Sequence, residues 1–125
     1  MSQIDNLHEI LRGKHKQSGE WVYGEHIAYV MSGKQISNVY LVHGDAYYLV
    51  LYDTIGKSVG ADKIGDRIFE DDMVKTKDGI GIVEWDDLAS RFVIKFEYFS
   101  VEFDNDIEMK VVGNTFDGIT DERWL

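Results

Sequence analysis

Apolar and polar positions alternate along most of this chain with a period near two, which is the spacing of half-buried strands. Trp21 and Tyr23, then Ile27 to Val30 beyond Gly24, predict one β-branched and aromatic strand with a glycine bend. Residues 39–42 and 46–52 are two further apolar runs, and His43-Gly44-Asp45 between them has the chemistry of a hairpin turn. In the second half, Phe69 precedes the acidic run Glu70-Asp71-Asp72, and a strand begins at Met73-Val74. Lys77-Asp78-Gly79 contains the Asp-Gly pair favoured in tight hairpins, after which Ile80, Ile82 and residues 83–85 return. Asp86-Asp87 turns the chain into residues 91–96, where Phe92, Ile94 and Phe96 alternate with Val93 and Lys95. Residues 98–103 and 108–112 complete the strands, with Asp104-Asn105-Asp106 as the turn between them. Helical spacing occurs only near the start: Ile4, Leu7, Ile10 and Leu11 share a face, with Ser2 or Asp5 as cap, and an extended reading of residues 9–12 stands beside it. The expected fold class is mainly β, built from short sequential strands.

Composition narrows the class. The chain has 125 residues, 44% hydrophobic and 29% charged, which excludes a disordered or low-complexity chain and fits a single domain. It contains no Cys, so disulfides, thiolate metal sites and thiol nucleophiles are absent together. The first residues lack the pattern of a secretory signal and no run is long enough to span a bilayer, so the cytoplasm is expected, with no membrane partner.

Charge is uneven. The net charge is -10, yet residues 1–62 hold 7 acids and 5 bases while residues 63–125 hold 16 acids and 8 bases. Bases scattered among acids cannot neutralise a run of phosphates, so direct nucleic-acid binding is not expected. An anionic second half serves solubility, and it also offers a face to a basic partner.

Candidate chemistry is thin. Gly79-Ile80-Gly81 opens like a dinucleotide fingerprint but leads into a strand, whereas pyrophosphate binding needs a helix N-terminus there. Asp104, Asp106 and Glu108 alternate like calcium-loop ligands, but no glycine follows for the sharp turn and Thr115 stands where a bidentate Glu is needed. His8, His15, His26 and His43 are dispersed, and neither HExxH nor Gly-x-Ser-x-Gly occurs. The sequence therefore names no catalytic residue, no metal ligand and no cofactor. A carboxylate pair could serve glycoside hydrolysis, but nothing selects one among 23 acids.

Several blocks together resemble one family. Leu11-Arg12-Gly13-Lys14, then Gln17-Ser18-Gly19-Glu20-Trp21-Val22-Tyr23-Gly24, resembles the opening of the YopX family, small proteins of bacteriophages and prophages. Thr54-Ile55-Gly56-Lys57, Gly60 and Ile68-Phe69-Glu70-Asp71-Asp72-Met73-Val74 resemble its central segment. Gly81-Ile82-Val83-Glu84-Trp85-Asp86 and Val111-Val112-Gly113-Asn114-Thr115 are similar to its closing strands, in order. Asp71 stands where the family has a glycine, a place that suits positive φ. The resemblance implies one YopX-like domain over residues 1–125, with an N-terminal β-rich region at 1–58 and a small SH3-like barrel at 59–125. It implies a bacterial host and no established enzymatic activity.

These readings converge on a non-enzymatic protein-interaction module. Its alternatives are a hydrolase with a carboxylate pair in a cleft, and an acidic decoy of a DNA-binding protein. The expected partner is a protein or a second copy in a symmetric homodimer. The candidate partner surface is Tyr47, Tyr48, Tyr98, Phe99, Asp71, Asp72, Asp86 and Asp87, because adjacent aromatics on a strand face opposite sides and the acids cluster in turns. The dimer contact is expected around residues 47–52, a run apolar on both faces. Trp21 and Trp85 are expected core anchors, and Lys75, Lys77, Lys95 and Lys110 are expected guards of strand edges.

Overall fold

In the computed structural model of the chain, residues 10–121 and residue 123 are described. They are mainly β, with thirteen strands and a 3₁₀ turn at Tyr52–Thr54. The helical reading of Ile4 and Leu7 lies outside the described residues, whereas Leu11 belongs to a strand. The chain divides into two compact units, Met1–Ser58 and Val59–Leu125.

The first unit holds β1 (Leu11–Lys14), β2 (Trp21–Gly24), β3 (His26–Ser32), β4 (Gln35–His43) and β5 (Ala46–Val50), followed by the 3₁₀ turn Tyr52–Thr54. The expected hairpin around His43-Gly44-Asp45 forms between β4 and β5, with His43 opposite Ala46 and Gly44 at φ 57. Only glycine enters that left-handed region without steric cost. A second hairpin joins β3 to β4 through Gly33-Lys34, with Ser32 opposite Gln35. The stretch from Trp21 to Val30 is not one bent strand. β2 pairs with β1 and β3 with β4, and Gly24 ends β2 against the backbone of Val42, where a Cβ would lie 2.7 Å from the carbonyl oxygen. Glycine here permits a close backbone approach between sheets rather than a bend within one. The core of this unit is small: Val39, Leu41 and Val50 are buried, with Leu11, Val22, Ile27, Tyr48 and Ile55 packed around them.

β6 (Gly56–Ala61) crosses the division between the units, and the second unit continues with β7 (Arg67–Phe69), β8 (Asp72–Thr76), β9 (Gly79–Asp86), β10 (Arg91–Lys95), β11 (Ser100–Glu102), β12 (Lys110–Asn114) and β13 (Gly118–Ile119). Six strands form one antiparallel sheet in the order β11-β10-β9-β8-β12-β13. A register shift between Val111 and Gly113 bends β12, as a bulge does. The order does not return on itself, so among the described residues the sheet is open rather than a closed barrel. Its core is Ile68, Val74, Val83, Ile94, Phe96 and Met109. β8 shows why the alternation was readable: Asp72, Val74 and Thr76 are buried, and Met73 and Lys75 between them are half-buried.

Four expectations fail on how far layers and strands extend. Trp85 is 46% exposed, because β9 runs beyond its pairing with β8, and its ring meets Phe92 of β10 edge-to-face at 5.0 Å. Trp21 is half-buried, with the Arg12 guanidinium 4.3 Å from its ring centre, so neither tryptophan is a fully buried anchor. Residues 98–103 hold only the short β11, and 46–52 ends as a strand at Val50. Lys75, Lys95 and Lys110 sit on β8, β10 and β12, which are interior strands, and Lys77 lies in the β8–β9 turn, so none guards an edge.

Candidate functional site

Of the expected partner surface, Tyr47 and Tyr48 belong to the first unit, and Tyr98, Phe99, Asp71, Asp72, Asp86 and Asp87 to the second. Tyr47 is exposed on β5 and Tyr48 half-buried against the first unit's core, as opposite faces of a strand require. Tyr98 and Phe99 are both exposed, because they stand in the bend between β10 and β11 rather than on a strand, and Phe99 stacks on Phe96 at 4.8 Å. Asp87 is exposed, and Asp86 Oδ1 accepts the N–H groups of Leu88 and Ala89, closing the β9–β10 turn. Asp71 adopts φ 71, the conformation that a glycine would hold at this position. Asp72 leaves the surface altogether. It is 1% exposed and its Oδ2 accepts the Phe69 N–H at 2.8 Å, so it braces the β7–β8 turn instead of facing a partner. A carboxylate two residues from a tight turn is drawn inward when a buried N–H there needs an acceptor.

The second unit carries a cleft of about 860 Å³, a volume typical of small-molecule sites. Its floor is apolar, with Ile94, Phe96, Val101, Ile107 and Met109. Its walls are charged: Lys63, Lys75, Lys77 and Lys110 stand with Asp62, Asp78, Asp106 and Glu108, equal in number and opposite in sign. Thr76 fixes the wall at the β8–β9 turn by accepting the Asp78 N–H and donating to the Gly79 carbonyl. Lys75 Nζ donates to the Thr76 carbonyl, and Lys110 Nζ lies 3.5 Å from Asp121. Asp121 in turn is held well below the usual carboxylate range, first by its hydrogen bond with Arg123, whose own pKa is raised by the same bond.

Asp62 is the residue at this cleft that sequence reasoning missed. It follows β6 and closes the β6–β7 loop, its Oδ1 accepting the N–H groups of Ile64 and Asp66 while its backbone N–H donates to the Asp66 carbonyl. Gly65 takes φ 97 within that loop. Asp62 is 7% exposed, and its Oδ2 receives no hydrogen bond from the described residues. The signal was present in Asp62-Lys63-Ile64-Gly65, since Asp followed by a glycine at left-handed φ is the pattern of a side-chain-closed turn.

A different surface lies in the first unit. Tyr29, Val30 and Met31 on β3 and Ile36 on β4 are each about half exposed, although all four are strand residues. They sit around the Gly33-Lys34 turn, where β4 extends past the end of β5, and a shallow groove of about 370 Å³ runs from Ile36 to Tyr52.

Among the described residues no group of three or more His, Asp or Glu side chains is placed to hold a metal ion. No helix there is long and apolar enough to cross a membrane. His43 Nδ1 lies 2.8 Å from Glu25 Oε2 on the surface of the first unit, and Gly79-Ile80-Gly81 forms part of β9. Asp104 Oδ1 accepts the Asp106 N–H and so closes a turn. Comparison of the chain with protein-family models, with curated proteins and with solved structures finds no match.

Proposed function

We propose that the protein is a non-enzymatic protein-interaction module of the YopX-like phage or prophage type, acting in the cytoplasm of a bacterial host. Its contact surface is the distal part of the β3–β4 hairpin. The observation that carries this reading is the half exposure of Tyr29, Val30, Met31 and Ile36 on adjoining strands. Strand positions of this kind are ordinarily covered by a second layer, and apolar side chains left open on adjoining strands mark an interaction surface. β3 also has a sheet neighbour on one side only among the described residues, so its outer edge offers backbone donors and acceptors to an added strand. The edge of β5 is less available: the Leu49 carbonyl accepts the Lys16 N–H, and the Leu51 N–H donates to the Lys14 carbonyl. This moves the expected contact from residues 47–52 toward β3, with Tyr52 beside it across the groove. The bent, open sheet of the second unit supports the SH3-like reading of residues 59–125 without closing a barrel.

The partner favoured is a second copy, since an apolar edge strand is complementary to itself by two-fold symmetry. Light scattering over a dilution series, on the native chain and on the Tyr29→Lys/Met31→Lys variant, tests this. The native chain is expected to show a mass that rises with concentration, and the variant to stay monomeric with an unchanged circular dichroism spectrum. A native mass that is monomeric throughout, or association that the variant retains, rejects the hairpin as a self-contact.

A further inference from the structure

We propose that two copies of the chain join through their β3 strands in one defined register, antiparallel and with Tyr29 of each copy opposite Tyr29 of the other. The inference rests on the reading of the β3–β4 hairpin as a self-contact and adds what sets its alignment. β3 spans seven residues, His26–Ser32, and Tyr29 is its centre, so only an antiparallel alignment about Tyr29 pairs the whole strand with its copy. The backbone groups at the edge allow that alignment. In a strand the N–H and C=O of one residue point to the same edge and those of the next residue to the other. The Val30 carbonyl faces β4, where it accepts the Ser37 hydroxyl at 3.0 Å. The extra residue at the β3–β4 register shift is Ser37, on β4, so the alternation along β3 is uninterrupted. Ile27, Tyr29 and Met31 therefore present their N–H and C=O groups at the outer edge, which no strand pairs among the described residues. Turned about Tyr29, two such edges meet as Tyr29 with Tyr29 and Ile27 with Met31, each pair exchanging two hydrogen bonds.

Charge selects the antiparallel sense. β3 itself carries no Lys, Arg, Asp or Glu, and the charges at its two ends are opposite in sign: Glu25 precedes it and the exposed Lys34 stands in the turn that follows. Antiparallel pairing about Tyr29 sets Glu25 of one copy opposite Gly33 of the other, beside Lys34, and symmetry repeats the contact. Parallel pairing would bring Glu25 to Glu25 and Lys34 to Lys34, and like charges across strands are unfavourable. The two nearby histidines do not disturb this arrangement. His26 falls opposite Ser32 of the second copy, and His43 Nδ1, 2.8 Å from Glu25 Oε2, leaves the Glu25 side chain 40% exposed. The same alignment sets Ala28 against Val30 and lays a second strand over the edge where Tyr29 and Met31 are half exposed.

Because the chain contains no Cys, introduced thiols report the register without interference. The test oxidises the Ala28→Cys and Val30→Cys chains, each alone and the two mixed. Positions 28 and 30 of opposite copies face each other with Cα atoms about 4.5 Å apart, within disulfide reach, whereas like positions lie diagonally at about 7 to 8 Å, beyond it. The mixture is therefore expected to cross-link about tenfold faster than either variant alone. A second arm reads the ends of the strand by light scattering in low salt. Glu25→Lys and Lys34→Glu each place two like-charged contacts across the symmetry axis and should weaken dimerisation about threefold to tenfold, while the chain carrying both should return to within about twofold of native. A native chain that associates but cross-links as fast at like positions, or whose charge variants either do not weaken it or are not rescued by their combination, overturns the register and leaves the self-contact standing. A native chain that stays monomeric at every concentration overturns both.

Discussion

The two units bury their apolar residues to different depths. Among the described residues the second unit has nine buried apolar side chains, from Ile68 to Val112, and the first has three, Val39, Leu41 and Val50. Charge follows the opposite course: the first unit has 6 acids and 5 bases, the second 17 acids and 8 bases. A deep core tolerates a strongly anionic surface, because burial offsets the self-repulsion of like charges. A thin core leaves strand residues such as Tyr29 and Met31 half open, and a nearly neutral surface then allows another chain to cover them. The contrast places the half-open strand residues in the first unit and the deeper apolar burial in the second.

The sharpest way to break the contrast is to empty each core in turn. Ile94→Ala, at a fully buried position of the second unit, is expected to cost about 3 to 5 kcal/mol, and Leu41→Ala about 2 to 4 in the thinner core, both read from chemical denaturation. Equal losses, or a larger one at Leu41, would contradict the difference in depth.

Next in size is Asp72→Ala. It strands the Phe69 N–H in a buried turn and should destabilise by about 1 to 3 kcal/mol, whereas a surface aspartate would register within about 0.5. Trp85→Ala should cost only about 0.5 to 1.5 kcal/mol, the scale of its edge-to-face contact with Phe92, despite the size of the side chain. Asp71→Gly, at φ 71, is expected to be neutral or stabilising by a few tenths of a kcal/mol, because relief of the left-handed conformation is partly offset by glycine's greater freedom when unfolded.

The smallest expected effect belongs to the exposed Asp121–Arg123 pair. Since the folded Asp121 carboxyl is held below its ordinary value of 3.8, its contribution is present above that pH and is lost only as the pH falls toward the folded midpoint. A carbon-detected titration should place the midpoint below that of ordinary aspartates, and Arg123→Gln should raise it. An unshifted midpoint in the native chain would remove the pair from the description of the second unit's rim.

What the sequence by itself determined was local. Period-two spacing predicted strands beginning at Met73, over 80–85 and over 91–96, where β8, β9 and β10 form, and turn chemistry predicted the hairpins at His43-Gly44-Asp45 and Lys77-Asp78-Gly79, because alternation and φ preferences act over a few residues. The left-handed backbone at Asp71 was foreshadowed only by the resemblance, which has a glycine at that place. The tertiary structure alone decided which alternating residues found a covering layer. Trp85 and Met31 carry the same apolar signal as Val83 and Leu41, yet Trp85 lies beyond the end of β8 and Met31 on the edge strand β3. It also decided that Gly24 separates two sheets and that Asp72 turns inward while Asp87 stays out. Above all it brought Asp62 to the cleft that Met109 floors, 47 positions away in the chain. Such meetings depend on how strands of different length stack and register, a property of the assembled sheets that no short window of residues contains.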